Sequence, residues 1–287
     1  MESKIILVTG ASDGIGKETA KALAKQGHTI IVHGRSKQKT QTAYEEIKAE
    51  SGNNNIEYMT ADFLSFAEIK RFAESIKQKY SHLDVLVNNA GAQYTDKREV
   101  TDEGHEKTMT INVFSPFLLT TLLLDMLKKS PSARVVTVSS AAHSMSGKPY
   151  FDDIELKHHY SMAKAYGLSK LYEIWVMKHF VSEMKKEGIS NITFNTVHPS
   201  SAFTNLGREA EKSLKWKIIY FLWRPMMKTP AEGAASSIYA ASSPQLEGVT
   251  GKYYGLKGEE KPNEKYYSPE NEKAIWDYCK KITEDYL

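Results

Sequence analysis

The chain has one cysteine, Cys279, in 287 residues. A lone thiol excludes an intrachain disulfide framework and a thiolate metal cluster. It suits a reducing compartment, and a cytoplasmic location is the expectation. An excess of charge is also missing: 38 basic residues face 35 acidic ones, for a net charge of +3. Nothing in that balance calls for a nucleic-acid partner. No apolar run approaches the roughly 18 residues of a membrane-spanning helix. The nearest, residues 216–224 (Trp-Lys-Ile-Ile-Tyr-Phe-Leu-Trp-Arg), is short and broken by charge. Strand-like sequence starts within a few residues of Met1, so no signal peptide is expected ahead of it. Repeats and low-complexity linkers are missing too. What remains is an ordinary globular composition, 41 % apolar and 25 % charged. The length suits one α/β domain over residues 1–287.

The apolar runs alternate with helical patterns. Strands are expected at residues 5–8, 29–33, 56–60, 85–87, 134–138 and 193–197, with a short one near 251–254. Helices are expected at 14–26, 39–51, 66–80, 108–128 (interrupted at Pro116) and 162–186. The strands are short and almost wholly apolar, as when helices cover both faces of a sheet. Strand–helix alternation implies parallel strands joined by right-handed crossovers, hence a doubly wound parallel sheet of Rossmann type. Residues 207–227 break the alternation and read as an insertion over one end of the sheet. The tail beyond Lys257 is polar, then ends in an amphipathic stretch with Ile275, Trp276, Cys279 and Ile282.

Three glycines, Gly10, Gly14 and Gly16, follow the first apolar run. Glycine costs backbone entropy on folding, so something must require the missing side chains. A strand, a glycine-rich turn and a helix start make a phosphate cradle: the first N–H groups of the helix are unpaired and its dipole favours an anion. A tight strand-to-helix turn without a ligand accounts for an isolated triplet equally well.

The spacing Thr9-Gly10-x-x-x-Gly14-x-Gly16 differs from G-x-G-x-x-G and resembles the short-chain dehydrogenase/reductase family. Asn88-Asn-Ala-Gly91 after a strand and Tyr166-x-x-x-Lys170 on a long helix match two further motifs of that family. Asn112 and the pair Ser139-Ser140 fall where it places its remaining catalytic groups. The resemblance runs along nearly the whole chain.

The chemistry of these residues fits it. Tyr166 and Lys170 are four apart on a helix and share a face. An ammonium lowers the pKa of a nearby phenol, which otherwise titrates near 10. The pair then serves as general acid for carbonyl reduction or general base for alcohol oxidation. The resemblance assigns Ser140 to hold the substrate oxygen, with Ser139 better suited to capping the loop. It gives Asn112 a water-holding place in a relay through Lys170, and has Lys170 bond the nicotinamide ribose. The hydride comes from a nicotinamide. His143, His158, His159 and His198 make no metal-spaced cluster, and no metal is expected; His158 and His159 read as a solvated loop.

Where a NAD-preferring fold carries an acidic residue after its second strand, this chain has Gly34, then Arg35 and Ser36 with Lys37 and Lys39 close by. An arginine fork suits a 2′-phosphate, so NADP(H) is expected over NAD(H). The Asp13 charge beside the turn counts mildly against an anion. The resemblance adds Ser12, Asp13 and Ile15 on the turn to the cofactor contacts. It also adds Asp62 and Phe63 near the adenine, Asn89, Ala90 and Gly91 after the fourth strand, and Pro199, Ala202 and Thr204 near the nicotinamide amide.

Tyr150-Phe-Asp-Asp-Ile154, Val138-Ser-Ser-Ala-Ala-His143, Thr196-Val-His-Pro199, Thr204-Asn-Leu-Gly-Arg208 and Lys228-Thr-Pro-Ala-Glu-Gly233 look like the retinol dehydrogenase-like branch. Ser200 departs from the Pro-Gly usual in the family. Residues 214–227 are aromatic and basic: an apolar substrate lid, a membrane-surface element and plain packing are the three readings. The long helices at 108–128 and 162–186 could form a homodimer face, as in many relatives. Two other functions compete with a small-molecule carbonyl or alcohol oxidoreductase. A nucleotide-sugar epimerase is disfavoured by the glycine spacing. A catalytically silent NADP(H) sensor or scaffold is disfavoured by the presence of both Tyr166 and Lys170.

Overall fold

The computed structural model describes residues 3–199 and 228–287. Ser200, Ala202, Thr204 and the insertion at 207–227 lie outside the described residues. Among the described residues eight strands form one sheet: β1 (Ile5–Val8), β2 (Thr29–Gly34), β3 (Ile56–Thr60), β4 (Val85–Asn88), β5 (Ala133–Val138), β6 (Ile192–Val197), β7 (Tyr253–Gly255) and β8 (Gly258–Glu260). Their order is β3-β2-β1-β4-β5-β6-β7-β8. The first seven are parallel; β8 turns back antiparallel on β7. The winding reverses between β1 and β4, and the crevice beyond their carboxyl ends is where such sheets bind ligands.

Helices α1 (Gly14–Lys25), α2 (Lys37–Ser51), α3 (Phe66–Lys79), α4 (Lys107–Lys128), α5 (Met162–Lys186), α6 (Pro230–Ser242) and α7 (Pro269–Thr283) cover both faces. Strand side chains alternate between the faces. Leu7, Ile31, Leu86 and Val135 pack with α3, α4, α5 and α7. Ile6, Val8, Ile30, Val32, Val85, Val87 and Val136 pack with α1, α2 and α6. Burial on both sides explains why these strands lack a polar alternation.

The expected strands and helices down to residue 197 are present, with ends moved by one or two residues. Two elements have no counterpart among the expectations. Helix α6 is built of small residues (Ala, Ser, Gly) with little apolar stripe, and a capping box of Thr229 and Glu232 starts it. Strand β8 is a short polar edge hairpin. The expected break at Pro116 is a correction. Helix α4 runs through, with a π-turn at Thr110–Phe114 just before the proline. Proline removes an N–H from the ladder, and a shift to wider pairing absorbs the loss without breaking the helix. The expectation that no segment approaches a membrane-spanning helix is also corrected: by length and composition α4 could cross a membrane, but its apolar stretch is mostly buried inside the protein. It is the central helix of the core.

Candidate active site

The glycine turn is closed by its own packing. Gly10 and Gly14 have φ of +63° and +58°, a region open to glycine and strained for other residues. A Cβ on Gly16 would lie 2.3 Å from Nδ2 of Asn89 and 2.5 Å from the Gly10 carbonyl oxygen. The turn is tied to β4 through Thr9: its hydroxyl donates to the Val87 carbonyl and accepts from the backbone N–H of Asn89 and Ala90. The Asn89 amide donates back to the carbonyls of Thr9 and Gly10. The triplet is therefore required by the turn even before a ligand is considered.

His33 is a residue that sequence reasoning passed over. From β2 its Nδ1 accepts the Gly10 N–H at 3.3 Å and its Nε2 donates to the Ala61 carbonyl at 3.1 Å. Its ring stacks on Phe63 at 3.9 Å. Burial depresses its pKa to about 4, so the ring is neutral at physiological pH. It fixes Gly10 without adding charge.

Asp13 is the N-cap of α1, its carboxylate accepting from the Gly14 N–H at 2.8 Å. The expected counterweight to phosphate is thus engaged with the helix start. The first-turn N–H groups of Ile15 and Gly16 have no intrahelical acceptor by the geometry of any helix start. Ser12 lies beside Gly34, where a Cβ would come within 3.0 Å of the serine Cβ. At the end of β2, Arg35 is exposed and lies 4.0 Å from Asp62. Ser36 caps α2, its hydroxyl accepting from Lys39 N–H and its carbonyl from Thr40. The Phe63 ring is buried against His33 and Phe72, so only its backbone is available to an adenine. Asp62 is held by Glu68 and Leu64 through the backbone.

The catalytic candidates converge at the carboxyl end of β5. Ser139 is buried, and its hydroxyl donates to the Lys170 carbonyl at 2.7 Å. Ser140 begins a 3-10 turn and accepts from the Ala142 N–H at 3.2 Å. The capping expected of Ser139 thus falls to Ser140, because Ser139 is turned into α5. Ser140 also faces the phenol of Tyr166. Burial pushes that phenol well above the usual tyrosine range, and Ser140 pulls it back.

Lys170 is buried, 5.9 Å from the centre of the Tyr166 ring. Its Nζ donates to the Val138 carbonyl at 3.0 Å and pairs with Glu173 at 2.9 Å. Glu173 is another residue that sequence reading did not single out. Asn112 sits in the π-turn. Its amide exchanges hydrogen bonds with both backbone groups of Ala92 and donates to Ser169. With the side chain engaged in this way, a relay role would fall to its backbone carbonyl. A Cβ on Gly91 would lie 2.8 Å from Oδ1 of Asn112 and 3.3 Å from Nζ of Lys170. The glycine leaves open the point where the two meet.

Pro199 follows β6, beside His198, whose Nε2 pairs with Glu260 at 2.9 Å. The expectation of a solvated His158-His159 loop is corrected in part. His159 stacks on Tyr150 at 4.1 Å and pairs with Asp153 at 3.0 Å. Among the described residues no cluster of His, Cys, Asp or Glu could hold a metal ion.

The donor set fits a nicotinamide dinucleotide. A helix start, close-packed glycines and an arginine lie at one end of the crevice, and the half-buried Ser140 and Tyr166 with the buried Lys170 lie at the other. The chain matches the short chain dehydrogenase family over residues 4–215, and it belongs to that family of oxidoreductases. Among named relatives, human polyprenol dehydrogenase is 37 % identical over 95 % of this chain and 83 % of its own length. Human retinol dehydrogenase 14 is 34 % identical over 96 % and 85 %. These likenesses place the chain in the retinol dehydrogenase-like branch. An active-site complex of Pseudomonas aeruginosa RhlG with NADP superposes with a TM-score of 0.69 and 26 % identity, covering 89 % of this chain and 95 % of that one.

Proposed function

We propose that the protein is an NADP(H)-dependent oxidoreductase interconverting a carbonyl and a primary or secondary alcohol on an apolar small molecule. The observation that carries this reading is the convergence of Ser140, Tyr166 and Lys170 at the end of β5, across the switch point from the glycine turn. A bound nicotinamide dinucleotide supplies or accepts the hydride. The chain's residues do the rest. Ser140 orients the substrate oxygen toward the phenol. Tyr166 gives that oxygen a proton in reduction and removes one in oxidation. Lys170 supplies the positive charge that favours the tyrosinate. Asn112 holds the loop after β4 against α5, and the Gly10–Gly16 turn presents N–H groups to the phosphates. Arg35, with the α2 start behind it, reads the 2′-phosphate.

The names of the relatives, polyprenol and retinol dehydrogenase, denote long apolar isoprenoid alcohols, which supports an apolar substrate. The whole chain would act as one domain. The test is a spectrophotometric screen of isoprenoid alcohols and aldehydes with NADP(H) and NAD(H), alongside melting-temperature titrations with each cofactor. A native-state ligand raises the melting temperature by mass action. Stabilisation by NADPH over NADH, with turnover of apolar substrates, is expected. Preference for NADH would overturn the Arg35 assignment. Binding without turnover of any carbonyl or alcohol would favour a silent cofactor sensor.

A further inference from the structure

Three ionisable side chains share one face of α5. Tyr166, Lys170 and Glu173 fall at i, i+4 and i+7, two turns of helix. Lys170 and Glu173 are almost wholly buried, with side-chain exposures of 4 % and 1 %. The ammonium stands 5.9 Å from the centre of the tyrosine ring and 2.9 Å from the carboxylate. Glu173 has no other hydrogen-bond partner among the described residues. A buried carboxylate is costly unless paired and hydrogen-bonded, and this one holds no network together. Its one polar partner among the described residues is the charge that the tyrosine needs.

We infer that Glu173 is a positioning residue for catalytic charge: ionised, it neutralises Lys170 and keeps Tyr166 protonated, and protonated, it releases the ammonium to stabilise the tyrosinate. Glu173 makes no bond to substrate. The inference rests on the reading of Tyr166 and Lys170 given above.

The electrostatics agree with the geometry. Burial pushes the Glu173 carboxyl up to about 7, against the pull of Lys170. Its charge changes in the range where the enzyme would work. On Tyr166, burial raises the phenol, Ser140 lowers it, and the Glu173 charge raises it further. Among the described residues other elements supply few charges here. Strand β5 offers the Val138 carbonyl, and the π-turn offers the neutral amide of Asn112. From β7, Tyr253 is raised by burial, by Glu260 and by Glu173. The Tyr253 hydroxyl lies 3.3 Å from Nδ1 of His143, and its ring stacks on His198, which pairs with Glu260.

The test is a titration of Tyr166 in 13Cζ-tyrosine-labelled protein saturated with NADP+, its resonance assigned with Y166F. In Glu173→Gln the ionisation midpoint of Tyr166 should fall by about one pH unit or more. Glu173→Asp should return it toward the wild-type value. The acid limb of alcohol oxidation should move with the resonance. An unmoved midpoint in E173Q overturns the inference, even if activity is lost, because a purely structural role would not shift it. Should E173Q fail to fold, the wild type decides. Its Tyr166 resonance should show a step near neutral pH as Glu173 titrates, and no step overturns the idea. The resonance needs no substrate, so a wrong substrate class leaves this test intact. Absence of NADP+ binding in the melting titration would instead count against the proposed function.

Discussion

Around the glycine turn the contacts that tie β1 to β2 and β4 are neutral, and among the described residues the one charged contact is the exposed Asp13 cap of α1. Thr9 and Asn89 join β1 to β4 through hydroxyl, amide and backbone groups, and His33 is kept uncharged by burial. Around Tyr166 the contacts are charged: a buried ammonium and carboxylate lie behind the half-buried tyrosine. Both regions lie on the same sheet and face the same crevice. The turn must keep one shape across physiological pH, because the pyrophosphate of a dinucleotide keeps its charge there. The catalytic group must change its protonation in every cycle, so its parts are coupled ionisable groups in a medium that magnifies their interaction. The two ends also respond to acid with opposite signs. His33, depressed to about 4, contributes stability that is complete above its unfolded value of 6.5 and is lost as pH falls through 4. Glu173, raised to about 7, favours the fold below 4.5, and that contribution is lost as pH rises through 7.

The strongest way to probe the catalytic end is Tyr166→Phe. Turnover should fall by about 10²–10⁴-fold, the contribution of a positioned acid or base, while the melting shift with NADPH is retained. Unchanged turnover would remove Tyr166 from the mechanism. The next effect separates the two ends by pH. Burial of His33 should cost about 3 kcal/mol of stability between pH 6.5 and pH 4, read from urea midpoints. In His33→Gln that part of the acid loss should vanish; parallel profiles for the two proteins would show that another group titrates. Gly16→Ala tests whether the turn is rigid. Its Cβ would collide with Asn89 and Gly10, and overpacking of this kind costs about 1–3 kcal/mol. Weakened NADPH binding should accompany the fall in melting temperature, and a variant as stable as wild type would show that the turn can open. The smallest effect is at the rim. Because Arg35 is exposed, Arg35→Ala should weaken NADPH by about tenfold, one hydrogen-bonded charge pair, and leave NADH unchanged. Equal losses for both cofactors would deny Arg35 the 2′-phosphate.

The same contrast explains what could be read from the chain. The β-branched runs and glycine spacing are local signals, and the strands, α1 and the Tyr166–Lys170 pair follow from them. His33 was hidden because its partners, Gly10 and Ala61, are 23 and 28 residues away, and a histidine inside a strand carries no mark of them. Helix α6 was hidden by its small residues, which pack closely without an apolar stripe. Strand β8 exists only through its pairing with β7. Glu173 did leave a trace: it is the lone acid in the apolar run Leu171-Tyr-Glu-Ile-Trp-Val176, three residues after the lysine. A charge in the middle of such a run needs a partner nearby, and helical spacing points to Lys170.

Helix α4 has a consequence for the birth of the chain. It is as apolar and as long as a membrane span, yet its cover comes from both sides of it in the sequence. Leu7 and α3 precede it, whereas β5, α5 and α7 follow. A nascent chain that has reached residue 160 carries this helix complete, with α5 and α7 still to be made. Until α5 and α7 are made, the apolar faces of α4 that pack on them in the fold have no cover. The order of translation thus leaves a helix that the finished fold keeps at its centre waiting for the segments that cover it.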